Sequence, residues 1–195
     1  MFGNENKYWP YWAFFLFLVT LSGVYIWNVI QYNVWWSYDG GAHIDYIMRL
    51  AKGLGLPDKD SNYLAWHEPL YYAVSAFVAK IGMYFGAGDK SIWKMLQFVN
   101  TFWALLFVIC SATLAKIIGK SKKIAFFVLV FIGSLFSVST LARYHTNETM
   151  FHALVMLWLV LFYHSKMENP ENWDVKKWTA LSLGLLILVW VKLTA

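Results

Sequence analysis

Three short stretches carry the side chains that could do chemistry in this chain: Tyr38-Asp39-Gly40-Gly41-Ala42-His43, Trp66-His67-Glu68-Pro69-Leu70-Tyr71-Tyr72, and Arg143-Tyr144-His145-Thr146-Asn147-Glu148. A carboxylate within hydrogen-bond reach of a hydroxyl can take its proton as the oxygen attacks, and Asp39 could do that work. His43 would share a helix face with Asp39 if the turn is helical, and could orient it or contact an anion. His67 and Glu68 could hold a cation or meet a substrate. Two adjacent ligands match no dedicated metal spacing, so a divalent cation is left open and no cofactor is required. Arg143 and His145, close to Asn147 and Glu148, could grip a phosphate, the arginine through its forked guanidinium. Lys192, in the last apolar run, is a further candidate phosphate contact, because an ionisable group there is functional by default.

Most of these residues have a plainer alternative. Asp39 could be the N-cap of a helix over 42–54, and His43 an interfacial histidine bonded to backbone. Arg143 and Lys192 could simply snorkel to the membrane surface. Asn147 and Glu148 could be the N-cap and first-turn acid of a helix beginning near Thr149. Asn147-Glu148-Thr149 also matches a glycosylation acceptor, although an adjoining apolar run places it poorly for that use.

The elements that must position these groups are apolar. Hydrophobic residues make up 59% of the chain and charged ones only 14%, against roughly 45–50% and 25% in soluble domains. Apolar runs at 11–30, 93–118, 124–142, 150–164 and 178–195 each approach the length of a membrane crossing, about 20 residues. The expectation is a single all-α polytopic transmembrane domain over 1–195, with about five spans. Amphipathic juxtamembrane helices would lie in a first outer loop at 31–92. The net charge of +5 sits in lysine groups at span ends (Lys116 to Lys123, Lys166 to Lys177), a topology signal rather than a nucleic-acid footprint. The lone Cys110 makes no intrachain disulfide. Tyr8, Trp9, Tyr11 and Trp12 at one end of the first run, with Trp35, Trp36 and Tyr38 at the other, read as interface belts.

Two topologies compete, according to whether 70–86 crosses. Placing both lysine groups inside, with Lys7, requires that it does not, and Lys80 midway along it agrees. The stretch is then an interfacial or partly embedded helix. The N-terminus is cytoplasmic, and the three chemical stretches fall on the extracytoplasmic side. Residues 42–54 should form a surface helix with Ile44, Ile47, Met48, Ala51 and Leu54 on one side, stopped by Gly53, Gly55 and Pro57. Residues 57–65 read as a polar connector.

The ordered set of motifs resembles the GT-C superfamily of membrane glycosyltransferases, in its protein O-mannosyltransferase and aminoarabinose-transferase branch. Family members carry an acidic turn after the first span, a His-Pro-Pro-Leu-Tyr-Tyr-like segment, and an acidic residue in a later outer turn. Asp39 with His43, His67 to Tyr72, and Arg143 to Glu148 occupy those places. Gly40 stands where many relatives have Glu, and Glu68 replaces the first Pro of the pair. The resemblance implies an inverting transfer of sugar from a polyprenyl-phosphate donor to an acceptor hydroxyl, with Asp39 as general base. His43, His67, Glu68, Arg143, Asn147, Glu148 and Lys192 would be substrate contacts, and lipids and the donor the partners. It also implies that 1–195 is the N-terminal portion of a longer module. A transporter or flippase fragment is the second expectation, although it calls for polar residues deep in the spans. A non-catalytic membrane scaffold is the third.

Overall fold

The longest element has one polar stripe on an otherwise apolar surface. In α4 (Asp89–Gly119), Lys94, Gln97, Asn100 and Thr101 recur at helical spacing and so share one side. Most of what packs on this stripe offers it backbone carbonyls. The computed structural model describes residues 11–37, 39–168 and 175–192. Lys7, Tyr8, Trp9 and Tyr38, used above for topology and belts, lie outside them.

The other helices are α1 (Tyr11–Gln31), α2 (Gly40–Ala51), α3 (Pro69–Tyr84), α5 (Lys122–Ser134), α6 (Phe136–Arg143), α7 (Asn147–Glu168) and α8 (Val175–Val191), and no strand occurs among the described residues. The all-helical expectation therefore holds. By length and composition, α1 and α4 can cross a membrane, and α5 with α6 would be a third span if the bent pair counts as one. That is fewer than the five crossings expected. α8 has 17 residues, and α7 begins and ends in charged turns. α3 also stays outside this set, with 16 residues.

The run read as one span over 124–142 is in fact broken, with α5 and α6 meeting at 59°. The Gly133-Ser134 pair and extended Leu135 mark the break, as such pairs commonly do. A Cβ on Gly133 would lie 2.8 Å from a Leu21 methyl group, so α1 packs where the side chain is missing. The break frees the Gly133 carbonyl, and the Tyr25 hydroxyl donates to it at 2.9 Å.

α1 runs antiparallel to α4. Lys94 Nζ donates to the Val29 and Tyr32 carbonyls at the end of α1, orphans that no next turn can satisfy. Farther along the stripe, Gln97 donates to Arg143 O at 2.8 Å and Thr101 to Ala142 O at 3.0 Å. Asn100 Nδ2 reaches Tyr144 O, Thr146 O and the Tyr71 hydroxyl. The far end of the bundle holds Lys116 in the last turn of α4, and Lys122 lies over the Tyr11 ring. The lysine group at 116–123 and the three chemical stretches thus occupy opposite ends.

α2 is amphipathic as expected, but its apolar side (Ile44, Ile47, Met48, Ala51) is turned onto protein, in one cluster with Tyr71, Tyr72 and Ala76 of α3, instead of lying on lipid. Gly53 at φ +74° closes α2, with Gly53 N–H on Leu50 O and Leu54 N–H on Arg49 O. Leu54 falls beyond that cap and is exposed.

Replacing Asn100 by Leu leaves the Tyr144 and Thr146 carbonyls without their donor, at about 1–3 kcal/mol for each group left unsatisfied. Thermal unfolding in detergent should therefore show a clear fall in Tm for Asn100→Leu. An unchanged Tm would mean that the stripe does not hold the α6–α7 turn.

Candidate functional site

Asp39 sits at the N-cap position of α2 in the left-handed region (φ 57°), and its side chain caps nothing. Few residues other than glycine hold that conformation, aspartate among the more tolerant. The carboxylate instead accepts a hydrogen bond from the Tyr63 hydroxyl. The capping alternative for Asp39 is therefore not how the side chain is used. Tyr63 is carried there because Asn62 anchors the 57–65 connector to α2. Asn62 Nδ2 donates to Ala42 O and to Asp45 Oδ2, while its Oδ1 accepts from Leu64 N–H.

Gly40 meets the preceding 3₁₀ turn (Val34–Trp36) so closely that a Cβ would lie 1.9 Å from Ser37 Oγ and 3.3 Å from Val34 O. The space it leaves is taken by the protein itself and not by a substrate.

His43 does not orient Asp39. It is buried, with Nδ1 2.9 Å from the Tyr72 hydroxyl, and the same hydroxyl lies 3.2 Å from His67 Nδ1. Tyr72 also stacks on Tyr46, with ring centroids 3.8 Å apart, so the bridging ring has little freedom. Glu68 stands at the N-cap position of α3 without capping it; Pro69, at the first helical position, has no N–H to satisfy.

The third stretch divides. The cap of α7 is Thr146, whose hydroxyl accepts from Glu148 N–H, so Asn147 is free for other contacts. Its Nδ2 lies 3.5 Å from His67 Nδ1 and 3.4 Å from Val191 O at the end of α8. Asn147 is buried, which removes the glycosylation reading. Glu148 is in the first turn of α7 and forms an ion pair with Lys192, Oε1 to Nζ 3.0 Å. Arg143 and His145 are directed elsewhere. The Arg143 guanidinium lies over the Tyr32 ring at 4.6 Å, and His145 is fully buried with neither ring nitrogen hydrogen-bonded.

The structure thus brings together Asp39, His43, His67, Glu68, Asn147, Glu148 and Lys192, and leaves Arg143 outside. Sequence reasoning missed Tyr63, which gave no signal in a polar connector, and the bridging role of Tyr72, visible only as part of a motif. The described residues hold no group of three His, Cys, Asp or Glu side chains arranged to take a metal ion.

Burial is the largest influence on the histidines. It pushes His43 down from 6.5 to about 3, helped by His67 and His145. It pushes His145 down to about 4, helped by Lys94. His67 is also lowered by burial, with Lys192 acting the same way and Glu68, Asp39 and Glu148 opposing. That Asp39, Glu68, Glu148 and Lys192 all act on one imidazole shows how closely they are gathered. Burial raises the Tyr72 hydroxyl above its ordinary range, so it stays protonated.

Against known protein families, curated proteins and solved structures, the chain finds no match.

Two outcomes follow from this geometry. Gly40→Ala should destabilise by about 1–3 kcal/mol through overpacking, and Ser37→Ala in the same chain should restore part of that by removing the nearest atom. Chemical unfolding of both variants checks it. Separately, His43 and His145 are neutral when folded and protonate near 6.5 when unfolded. The unfolded chain then binds protons that the folded one refuses, so stability is full above about pH 6.5 and falls towards pH 4. The slope is at most about 1.4 kcal/mol per pH unit for each histidine. Tm measured across that window should fall in the wild type and fall less steeply in His145→Phe.

Proposed function

We propose that the chain is a membrane glycosyltransferase that moves a sugar from a polyprenyl-phosphate donor to an acceptor hydroxyl, with Asp39 as general base. The observation that carries this reading is the convergence of His67, Asn147, Glu148 and Lys192, with Asp39 and Glu68 near enough to act on His67, from segments far apart in sequence, at the end of the bundle opposite the lysine group at 116–123. The motif resemblance concerns the same positions apart from Lys192.

In the proposed step the acceptor oxygen attacks the anomeric carbon as Asp39 takes its proton. The bond from that carbon to the phosphate oxygen breaks, and the polyprenyl phosphate leaves with the electron pair. Phosphate is already a good leaving group, so its charge needs donors more than an acid. Lys192 is the cation in reach, and His67 a further donor. Tyr63 holds the carboxylate of Asp39 in place. One residue along α7 from Glu148, a cavity of about 210 Å³ lined by Ala104, Phe107, Leu135, Val138, Leu141 and Thr149, among others, offers apolar room for part of the lipid.

In this reading α1, α4, α5 with α6, α7 and α8 are five crossings. The lysine end, with the N-terminus, faces the cytoplasm, following the positive-inside rule. The site then opens on the extracytoplasmic side. A transport reading would use the polar residues within α4, but Gln97, Asn100 and Thr101 are engaged with backbone carbonyls of 142–146 and Lys94 with those of Val29 and Tyr32.

Membranes containing the protein, given a panel of labelled polyprenyl-phosphate sugars and acceptors, test the reading. Transfer should occur with one donor class, and Asp39→Asn at matched abundance should lower it by at least about 100-fold, the lower end for loss of a general base. Transfer that survives the substitution would remove Asp39 from the role. Absence of transfer from every donor, with folded protein, would sink the enzyme reading.

A further inference from the structure

We infer that Asn147 and Tyr72 fix the tautomers of both site histidines, so that His67 offers a permanent N–H donor from Nε2 and His43 keeps its proton on Nδ1. The use of that donor, to hold a phosphate oxygen of the ligand, rests on the reading above; the tautomers themselves do not.

The number of protons available decides the tautomers. Tyr72 Oη has a single proton and lies against two imidazole nitrogens, His43 Nδ1 at 2.9 Å and His67 Nδ1 at 3.2 Å. It can donate to only one of them, and where it does not donate it must accept, or two lone pairs would face each other. Neutral imidazole carries one N–H, so three arrangements are open. His67 donates through Tyr72 to His43, His43 donates through Tyr72 to His67, or both rings donate to Tyr72.

Asn147 chooses between these. Its Nδ2 lies 3.4 Å from Val191 O, a carbonyl that can only accept, so the amide turns its NH₂ edge that way. The same NH₂ lies 3.5 Å from His67 Nδ1. An amide NH₂ has no lone pair to offer, so His67 Nδ1 must be the acceptor. It receives the Asn147 N–H and the Tyr72 O–H together, and the long distances suit an acceptor shared by two donors. The direction is therefore from His43 Nδ1–H to Tyr72, and from Tyr72 O–H to His67.

The consequence is at the far edge of the His67 ring. With Nδ1 occupied as acceptor, the proton sits on Nε2. Phosphate oxygens accept and do not donate, so a neutral donor held in one tautomer is a selective contact for them. Asn147 and Tyr72 act through His67 and are positioning residues.

Nitrogen NMR of ¹⁵N-histidine-labelled protein in nanodiscs reads the tautomers directly. The signals lost in His67→Asn and in His43→Asn assign the two rings in the wild-type spectrum. The expected result is Nε2–H on His67 and Nδ1–H on His43, with His43 moving to Nε2–H in Tyr72→Phe. A proton on His67 Nδ1 in the wild type, or a His43 signal indifferent to Tyr72→Phe, overturns the inference. In the transfer assay, Tyr72→Phe should raise KM for the phosphate-linked donor roughly ten-fold, the worth of one such hydrogen bond, and leave kcat nearly unchanged. The expected tautomers without any transfer would leave the relay standing and remove the enzymatic reading. Transfer with the opposite tautomers would do the reverse.

Discussion

The structure depends on how a few carbonyl groups are satisfied where water is scarce. Between α6 and α7 the chain leaves helical geometry, and a backbone group buried in protein is costly unless a neighbour supplies its partner. The stripe on α4 supplies it: Gln97, Asn100 and Thr101 take the carbonyls of Arg143, Tyr144, Thr146 and Ala142. Because these donors stand on one rigid helix, the turn is fixed in position and rotation. Thr146 then starts α7, and Asn147 and Glu148 emerge in a single orientation.

The same stripe sets the rest of the site at one remove. Asn100 also donates to the Tyr71 hydroxyl at 3.3 Å, which ties the first turn of α3 to α4. Tyr72 follows directly, stacks on Tyr46 and bridges the histidines. α2 is placed through that aromatic contact, and Asp39 through α2. Side chains from the two ends of the sequence therefore meet because α4 and α3 hold them, and the end of α8 closes the arrangement through Val191 and Lys192.

Most of the helices were legible in the sequence, because long apolar runs and their lysine-rich ends need no tertiary information. Asp39, His67, Glu68, Asn147 and Glu148 were legible as candidates, since acidic, amide and histidine side chains at the ends of the apolar runs stand out from the lysines. What was not legible depended on partners. Lys94, Gln97 and Asn100 look like interruptions of a span until the carbonyls they serve are seen. The break at Leu135 had a local signal in Gly133-Ser134, but its acceptance depends on Tyr25 from α1. Arg143 was read by proximity in sequence to Glu148, yet α6 ends with its side chain on the other side, over Tyr32. Tyr63 depended on how Asn62 folds a connector that has no pattern of its own.

The charge balance explains why proton placement in this site matters. Asp39, Glu68 and Glu148 are carboxylates, Lys192 is their one cation among the gathered residues, and it is already paired with Glu148. Burial holds His43 and His67 towards the neutral form. In the proposed reading a phosphate must be held beside three acidic side chains with Lys192 shared with Glu148, and at separations of several ångströms repulsion between like charges is strong wherever water is excluded. A neutral N–H fixed in direction meets this problem differently from a cation. It contributes a hydrogen bond to the anion without being drawn onto the neighbouring carboxylates, as a protonated imidazole would be. In the proposed reading, depressed basicity in the histidines and a fixed tautomer are two parts of one arrangement, in which the acidic groups are left for proton transfer and a donor is kept for the anion.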